Sequence, residues 1–281
     1  MKPNLIIIGA MKAGTTSLHN YLQSHPEIQM SEPKELNYFS NPKFWNRGLA
    51  WYESHFDSPA KVRGETSTSY TIYPRASETP ERIHNTVPDV KLIYLIRDPI
   101  NRFISHYVHY LSEGRERRGL PEVIAAIQQG EPSHYIDQSR YFMQLEQYLR
   151  YFHQQQILLI TTEDLKNRRA DTLRSVAEFL EVTDQFSEFD IAQEHNRGET
   201  ALLARNWWVD LVYPTWLQTH SEMSWKLKSP FFHLAKLGGR VINKPRLTDE
   251  EIATLTQIFR DDVARLQDFT GYQFTGWRDY Y

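Results

Sequence analysis

The sequence contains no cysteine among its 281 residues. Disulfide bonds, thiolate zinc sites and cysteine nucleophiles are therefore excluded. It also lacks any run of roughly 18 consecutive apolar residues, so no transmembrane helix is predicted. The first apolar run, Leu5–Ile8, is too short for the roughly 7–15-residue apolar core of a secretory signal. From these absences we expect a cytoplasmic protein.

A strong excess of one charge is absent too, because 32 lysines and arginines nearly balance 35 aspartates and glutamates. The formal net charge of −3 argues against a protein that coats nucleic acid, and we expect no nucleic-acid partner. The composition is 40% hydrophobic and 24% charged, which excludes collagen, coiled coil and bulk disorder.

Apolar runs alternate with helical patterns along the chain. Short buried strands separated by amphipathic helices are typical of βαβ units. A chain of this length allows one large domain or two small ones, since domains commonly hold roughly 100–200 residues. We predict a single three-layer α/β domain over residues 1–281 with a central, mostly parallel sheet. Its predicted strands are Leu5–Ile8, Val62–Glu65, Leu92–Ile96 and Ile157–Ile160.

The ends of two helices are marked by their capping residues. Asp98 can cap a helix whose first turn holds Pro99. Near the C-terminus, Thr248 and Glu251 have the spacing of a capping box. Gly271 marks the predicted stop of that last helix.

A glycine-rich segment follows the first strand and runs into a helix. It reads Gly9-Ala10-Met11-Lys12-Ala13-Gly14-Thr15-Thr16-Ser17. A strand, a glycine loop and a helix N-terminus together direct backbone N–H groups at one point, which suits a phosphate. The two glycines match the ATPase pattern G-x-x-x-x-G-K-[ST], but Thr15 occupies its lysine position. The loop lysine, Lys12, is therefore predicted to neutralise a group attached to a 5′-phosphate; a purely structural turn is the alternative.

A second anion site is predicted where the strand Leu92–Ile96 ends. The carboxyl ends of parallel strands are where α/β sheets bind ligands. The planar guanidinium of Arg97 suits a phosphate, and Ser105 on the following helix can donate a further hydrogen bond. Arg102 is either a second ligand or a structural partner of Asp98 or of the sheet edge.

These two motifs resemble those of sulfotransferases that use 3′-phosphoadenosine 5′-phosphosulfate (PAPS), a family with a P-loop-like nucleotide-binding fold. Lys12–Ser17 is similar to the family's 5′-phosphosulfate loop, and Arg97-Asp98-Pro99 with Arg102 and Ser105 to its 3′-phosphate motif. Two further segments resemble the heparan-sulfate-like branch, Lys34–Phe39 and Gly64–Tyr70. Weaker similarity runs through Glu163-Asp164-Leu165 and Asn243–Arg246 to Trp277, so the resemblance covers nearly the whole chain.

The resemblance implies an enzyme that transfers a sulfuryl group from PAPS to an acceptor hydroxyl or amine. Negative charge grows on the departing phosphate, and Lys12 is expected to stabilise it. The 3′-phosphate is assigned to Arg97 and Ser105, and Lys244 and Arg246 are assigned to donor contact or to a solvated basic turn. No metal is required, and the sequence lacks the usual spaced ligand sets. The 5′-phosphate is assigned to the backbone N–H groups and hydroxyls of Ala13, Gly14, Thr15, Thr16 and Ser17.

Glu35 is the first choice for the general base, because the resemblance places a catalytic glutamate there. Burial under Tyr38 and Phe39 is expected to raise its basicity. The alternative is that Glu35 only pairs with Lys34. Glu65 is the second candidate, and three histidines are weaker ones: His106, His109 and His195.

The acceptor is the least determined part of the prediction. A sugar hydroxyl or amine is favoured by the resemblance, and Trp207 or Trp216 could stack on sugar rings. A lipid, a polyketide or another small alcohol would suit the same side chains. Residues 201–240 are predicted to form a helical region on the substrate side. Two other functions are a kinase-like phosphotransferase, disfavoured by Thr15, and a binding module without catalysis, disfavoured by Lys12 and Glu35.

Overall fold

A five-stranded parallel sheet forms the centre of the computed structural model, which describes residues 1–186, 202–203 and 241–280. Every pairing in the sheet is parallel, and the strand order is β2-β3-β1-β4-β5. The predicted α/β fold with a mostly parallel sheet is confirmed. Ile28–Met30 is the strand that the sequence did not predict. The strands are β1 (Leu5–Gly9), β2 (Ile28–Met30), β3 (Val62–Thr66), β4 (Lys91–Ile96) and β5 (Ile157–Thr161).

Helices of the described residues connect and flank these strands. Short 3₁₀ turns occupy Thr68–Tyr70 and Gln154–Gln156. All five strands run in the same direction, so their carboxyl ends meet at one edge of the sheet. Such parallel strands are joined by crossover connections. The helices are α1 (Thr15–Gln23), α2 (Pro42–Trp45), α3 (Leu49–Glu53), α4 (Thr79–Thr86), α5 (Pro99–Ser112), α6 (Leu120–Gln128), α7 (His134–Asp137), α8 (Tyr141–Tyr148), α9 (Thr162–Asn167), α10 (Arg169–Leu180) and α11 (Asp249–Thr270).

The predicted helix ends are confirmed. The Asn101 N–H donates to Asp98 Oδ1 at 2.7 Å, so Asp98 caps α5. Thr248 and Glu251 form the capping box of α11, with the Thr248 N–H donating to Glu251 Oε2 at 2.7 Å and the Glu251 N–H to Thr248 Oγ1 at 3.2 Å. The last helix stops before Gly271, whose φ of 65° lies in the left-handed region that glycine adopts readily.

Asp262 is a buried charge in the otherwise apolar stripe of α11. Its carboxylate accepts the Phe142 N–H at 3.0 Å and the Met143 N–H at 2.9 Å, at the start of α8. Burial raises the pKa of Asp262 to about 6, although the two N–H groups favour the charged form. The contact fixes the first turn of α8. That turn holds Tyr141, whose hydroxyl reaches the carboxyl edge of the sheet and accepts the Arg97 N–H.

Contacts between Cα atoms divide the chain into two units. One consists of Met1–Phe103, Pro132–Arg197 and Ile252–Tyr281 and holds the parallel sheet; the other consists of Ile104–Glu131 and Gly198–Glu251. The second unit includes an antiparallel pair, β6 (Leu202–Leu203) and β7 (Val241–Ile242). The single domain over residues 1–281 stays a prediction. Apart from Leu202–Leu203, the predicted helical region 201–240 lies outside the described residues.

Candidate functional site

The glycine loop joins β1 to α1 at the carboxyl edge of the sheet. Gly9 has no room for a side chain, because a Cβ there would lie 2.1 Å from Thr71 Oγ1. Gly14 has a φ of 94°, in the left-handed region that other residues rarely adopt. The loop therefore requires glycine at both positions of the predicted spacing, at Gly9 for lack of room and at Gly14 for its backbone conformation.

Neighbouring strands hold this loop in place. The Ala10 N–H donates to the Leu95 carbonyl of β4 at 2.6 Å. Thr162, directly after β5, places its hydroxyl oxygen 2.5 Å from the Ala13 carbonyl and 3.0 Å from that of Ile96. Thr162 was not predicted, since its role depends on a contact between segments about 150 residues apart. The loop is thus tied to two other strand ends.

The first turn of α1 presents open backbone donors. Ala13 and Ser17 use their N–H groups within the loop, on the Ala10 and Gly14 carbonyls. Among the residues that the structure describes, no group accepts from the N–H of Gly14, Thr15 or Thr16, and no side chain caps the helix. Of the predicted phosphate-binding N–H groups from 13 to 17, these three are therefore the ones left open. Open N–H groups at a helix N-terminus favour an anion.

Arg97 lies directly after β4, the strand beside β1. Its backbone N–H donates to Tyr141 Oη at 3.3 Å. Its side chain is half-buried, and the guanidinium makes no hydrogen bond or ion pair with any described residue. A cation at a strand end that has no partner among the described residues suits an anionic ligand.

Arg102 takes the structural role of the two that were predicted. It is fully buried and donates to Ser139 Oγ at 2.6 Å and to the Tyr135 carbonyl at 2.7 Å. It also donates to the Met11 carbonyl of the glycine loop at 3.5 Å. The expected ion pair with Asp98 is not its role, because Asp98 is paired with Arg278 at 2.6 Å.

Five predicted residues belong to the second unit and are described within it. His106 is buried, and its ring meets that of Tyr110 edge-on with 4.4 Å between the centroids. The Nε2 of His109 lies 3.4 Å from the Glu113 carboxylate. The other three are Ser105, which is half-buried, and Lys244 and Arg246, which are exposed.

Three residues named from the sequence lie outside the described residues. They are His195, Trp207 and Trp216.

Glu65, at the end of β3, is fully buried and accepts three hydroxyl hydrogen bonds. Its Oε1 accepts from Tyr52 Oη at 2.5 Å and from Tyr70 Oη at 2.9 Å. Its Oε2 accepts from Ser67 Oγ at 2.8 Å. Burial raises the pKa of Glu65 to about 7, against the lowering effect of these hydroxyls. Both oxygens are thus engaged inside the protein.

Glu35 is the more accessible of the two candidate bases. Its side chain is 41% exposed and forms an ion pair with Lys34 at 2.8 Å. The expected burial under Tyr38 and Phe39 is wrong, because both rings turn into the core, where Tyr38 stacks on Tyr52 at 4.4 Å. The Thr66 N–H donates to the Lys34 carbonyl at 3.4 Å, so Glu35 and Glu65 both lie beside the end of β3.

A polar network ties the turn that carries Glu35 to the end of β3. Ser67 Oγ, which donates to Glu65, accepts the Asn37 N–H at 3.0 Å. Ser69 Oγ donates to Asn37 Oδ1 at 2.5 Å. Asn37 has a φ of 51°, so it makes the sharp turn two residues after Glu35. Glu65 therefore supports, through Ser67, the segment on which Glu35 lies.

His19 is a buried titratable residue that the sequence did not single out. Its Nδ1 lies 3.0 Å from Thr66 Oγ1, which joins α1 to the end of β3. Burial, and then the charge of Lys34, lower the pKa of His19 to about 4. The imidazole is therefore neutral at pH 7. In the sequence, its position among the apolar residues of α1 was the signal that could have indicated a buried histidine.

Metal ligands are not grouped in the described part of the chain. No cluster of three or more His, Cys, Asp or Glu side chains that could hold an ion occurs there. Among the same residues, no helix has both the length and the apolar character needed to cross a membrane.

Glu65 should make stability depend on pH. Its pKa is raised on folding, so the folded state binds more protons between about pH 4.5 and 7. The stability that this group contributes is fully present below that window and is lost as the pH rises through it. We expect the melting-temperature difference between wild type and Glu65→Gln to change across pH 4.5–7.5. Asp262 and His19 titrate in both proteins, so a constant difference would show that Glu65 is ionised throughout.

Comparison with known proteins shows which family the chain belongs to. The chain matches the family described as sulfotransferase domain over residues 2–270. The chain belongs to the sulfotransferase domain family. Among relatives of this chain, heparan sulfate glucosamine 3-O-sulfotransferase 5 of Homo sapiens is 29% identical over 206 residues, which cover 70% of this chain and 58% of that protein. Heparan sulfate glucosamine 3-O-sulfotransferase 3B1 of Mus musculus is 33% identical over 186 residues, which cover 63% of this chain and 46% of that protein.

The chain thus spans about half the length of these curated relatives, 58% and 46% respectively. A solved sulfotransferase from Alicyclobacillus acidocaldarius has the same fold, with a TM-score of 0.69 and 24% identity over 99% of this chain and 100% of that one. The fold expected from the resemblance is therefore confirmed.

Proposed function

We propose that this sulfotransferase transfers a sulfuryl group from PAPS to an acceptor hydroxyl or amine, most simply of a carbohydrate. The observation that carries the proposal is a pair of anion-accepting groups on adjacent strands. The N–H groups of Gly14–Thr16 follow β1 and the Arg97 guanidinium follows β4, and none of them has a hydrogen-bond or ion-pair partner among the described residues. Adjacent strands lie roughly 4.8 Å apart, so one ligand with two phosphates can reach both groups.

The residues around the loop suit the chemistry of sulfuryl transfer. The acceptor oxygen or nitrogen forms a bond to sulfur while the bond between sulfur and the phosphate oxygen breaks. Negative charge then grows on that phosphate, beside the open N–H groups and Lys12, which stabilise it. Glu35 takes the proton that the acceptor loses. The products are the sulfated acceptor and adenosine 3′,5′-bisphosphate.

The proposed acceptor class rests on the relatives, which are heparan sulfate sulfotransferases by name. A lipid, a polyketide or another small alcohol is the alternative. Labelled PAPS offered with glycan, phenol and fatty-alcohol acceptors tests both the reaction and the class. Label transfer to a glycan is the expected result. Binding of PAPS without transfer to any acceptor would contradict the reaction, and a melting temperature raised by Mg-ATP but not by PAPS would contradict the donor.

Arg97→Ala should weaken adenosine 3′,5′-bisphosphate about ten- to a hundredfold, since a hydrogen bond to a charged group contributes roughly 1.5–3 kcal/mol. AMP, which lacks the 3′-phosphate, should bind almost unchanged. Titration calorimetry with both nucleotides measures the two affinities. An equal loss for both would show that Arg97 serves the structure of the turn and not the 3′-phosphate.

A further inference from the structure

The turn at the start of α5 uses all its backbone donors internally. The N–H groups of Arg97, Asp98, Ile100 and Asn101 donate to Tyr141 Oη, Glu163 Oε1, Tyr280 Oη and Asp98 Oδ1, at 2.7–3.4 Å. Pro99 has no N–H to offer. This helix start therefore differs from that of α1, where three N–H groups are open. A phosphate at the end of β4 depends on side chains, and above all on the Arg97 guanidinium.

Two carboxylates flank Arg97 and could compete for that guanidinium. Asp98 is its neighbour in the chain and is fully buried. Glu163, at the start of α9, is half-buried and accepts the Asp98 N–H at 3.3 Å. Burial raises the pKa of Glu163, and the charge of Arg97 is among the effects that lower it. An arginine beside a free carboxylate commonly pairs with it.

The C-terminal segment Phe274–Tyr280 donates hydrogen bonds to both carboxylates. Arg278 donates to Asp98 twice, from its side chain to Oδ1 at 2.6 Å and from its backbone to Oδ2 at 3.0 Å. Tyr280 Oη adds a bond of 3.1 Å to Asp98 Oδ2. Trp277 Nε1 donates to Glu163 Oε2 at 3.1 Å.

Packing keeps these donors in place. Trp277 stacks on Phe274 with 4.2 Å between ring centroids. Arg260 of α11 donates to the Tyr280 carbonyl at 3.0 Å. The segment is therefore held from α11, and its polar contacts fall on the two acids beside Arg97.

We propose that Trp277 and Arg278 are positioning residues that keep Glu163 and Asp98 occupied, so that the Arg97 guanidinium stays available to the 3′-phosphate of the donor. The proposal rests on the function proposed above. It assigns to the C-terminal segment a role in choosing a donor with a 3′-phosphate. Removing a tail donor frees a carboxylate, which then pairs with Arg97 and competes with the phosphate.

The test compares the affinities of adenosine 3′,5′-bisphosphate and AMP, expressed as a ratio, in the full chain. Trp277→Phe keeps the stacking on Phe274 but removes the donor to Glu163. We expect the ratio to fall about three- to tenfold, less than in Arg97→Ala, because the freed carboxylate competes for the guanidinium without removing it. The double variant Trp277→Phe/Glu163→Gln should restore the ratio, because the competing charge is gone. Trp51→Phe, at a half-buried tryptophan of α3, is the matched control and should leave the ratio unchanged.

Arg278→Gln gives an independent measurement at the other acid. It should also lower the ratio, while Arg265→Gln, which removes an exposed ion pair with Glu146, should not. If Trp277→Phe does not fold, the Arg278→Gln result decides the matter alone. A merely structural tail would lower the melting temperature and weaken both nucleotides equally, without rescue by Glu163→Gln; that result overturns the proposal. Equal binding of both nucleotides by the wild type would instead overturn the proposed donor.

Discussion

Lys12→Ala should lower kcat about 10²- to 10³-fold, the effect of removing one group that stabilises developing charge in a transition state. The affinity for adenosine 3′,5′-bisphosphate should fall much less, because the charge that Lys12 meets grows only as the bond to sulfur breaks. Lys12 is half-buried in the loop, at a φ of 72°, next to the open N–H groups. Single-turnover kinetics and calorimetry measure the two effects separately.

Lys43→Ala is the matched control, since Lys43 is exposed on α2, away from the glycine loop in the sequence. It should leave both turnover and nucleotide affinity at the wild-type level. A Lys12→Ala protein with normal turnover and a weakened donor affinity alone would refute the role in the departing phosphate. Lys12 would then be a ground-state ligand of the 5′-phosphate.

The parts of the site that the sequence predicted are those made by consecutive residues. Gly14 is required by its own backbone conformation, with a φ of 94°, and the cap of α5 is made by Asp98 and the third residue after it. Such features depend on residues close together in the sequence, so the residue pattern alone predicts them. The parallel strands were predicted for the same reason, through their short apolar runs.

The parts that the sequence did not predict depend on contacts between distant segments. Trp277 meets Glu163 across 114 residues, and Thr162 meets Ala13 across 149. The exposure of Glu35 was predicted wrongly because the rings of Tyr38 and Phe39 were assigned to the wrong side of their turn. Alternation within a short loop does not determine which side chains turn inward; the aromatic partners do, and Tyr52 lies on another element.

Glu35→Gln should lower turnover about 10²- to 10⁴-fold, the range for a positioned general base. The substitution keeps the shape of the side chain and removes the proton acceptor. Because Glu35 is 41% exposed, the melting temperature and nucleotide affinity should stay near the wild-type values. Initial rates, thermal melts and titration calorimetry on the same preparations measure all three.

Glu65→Gln is the comparison that decides between the two carboxylates. Glu65 accepts three hydroxyl hydrogen bonds at full burial, and an amide offers only one acceptor oxygen in its place. We therefore expect a lower melting temperature and a smaller loss of turnover than in Glu35→Gln. A larger loss of turnover at unchanged stability would move the base to Glu65.

The acidity of the acceptor separates a base from a residue that only orients the acceptor. A phenolic hydroxyl gives up its proton more readily than an aliphatic one, so it needs less help from Glu35. The loss caused by Glu35→Gln should therefore shrink with phenolic acceptors and stay large with aliphatic ones. A loss of the same size with both kinds of acceptor would mean that Glu35 orients the acceptor and that another group takes its proton.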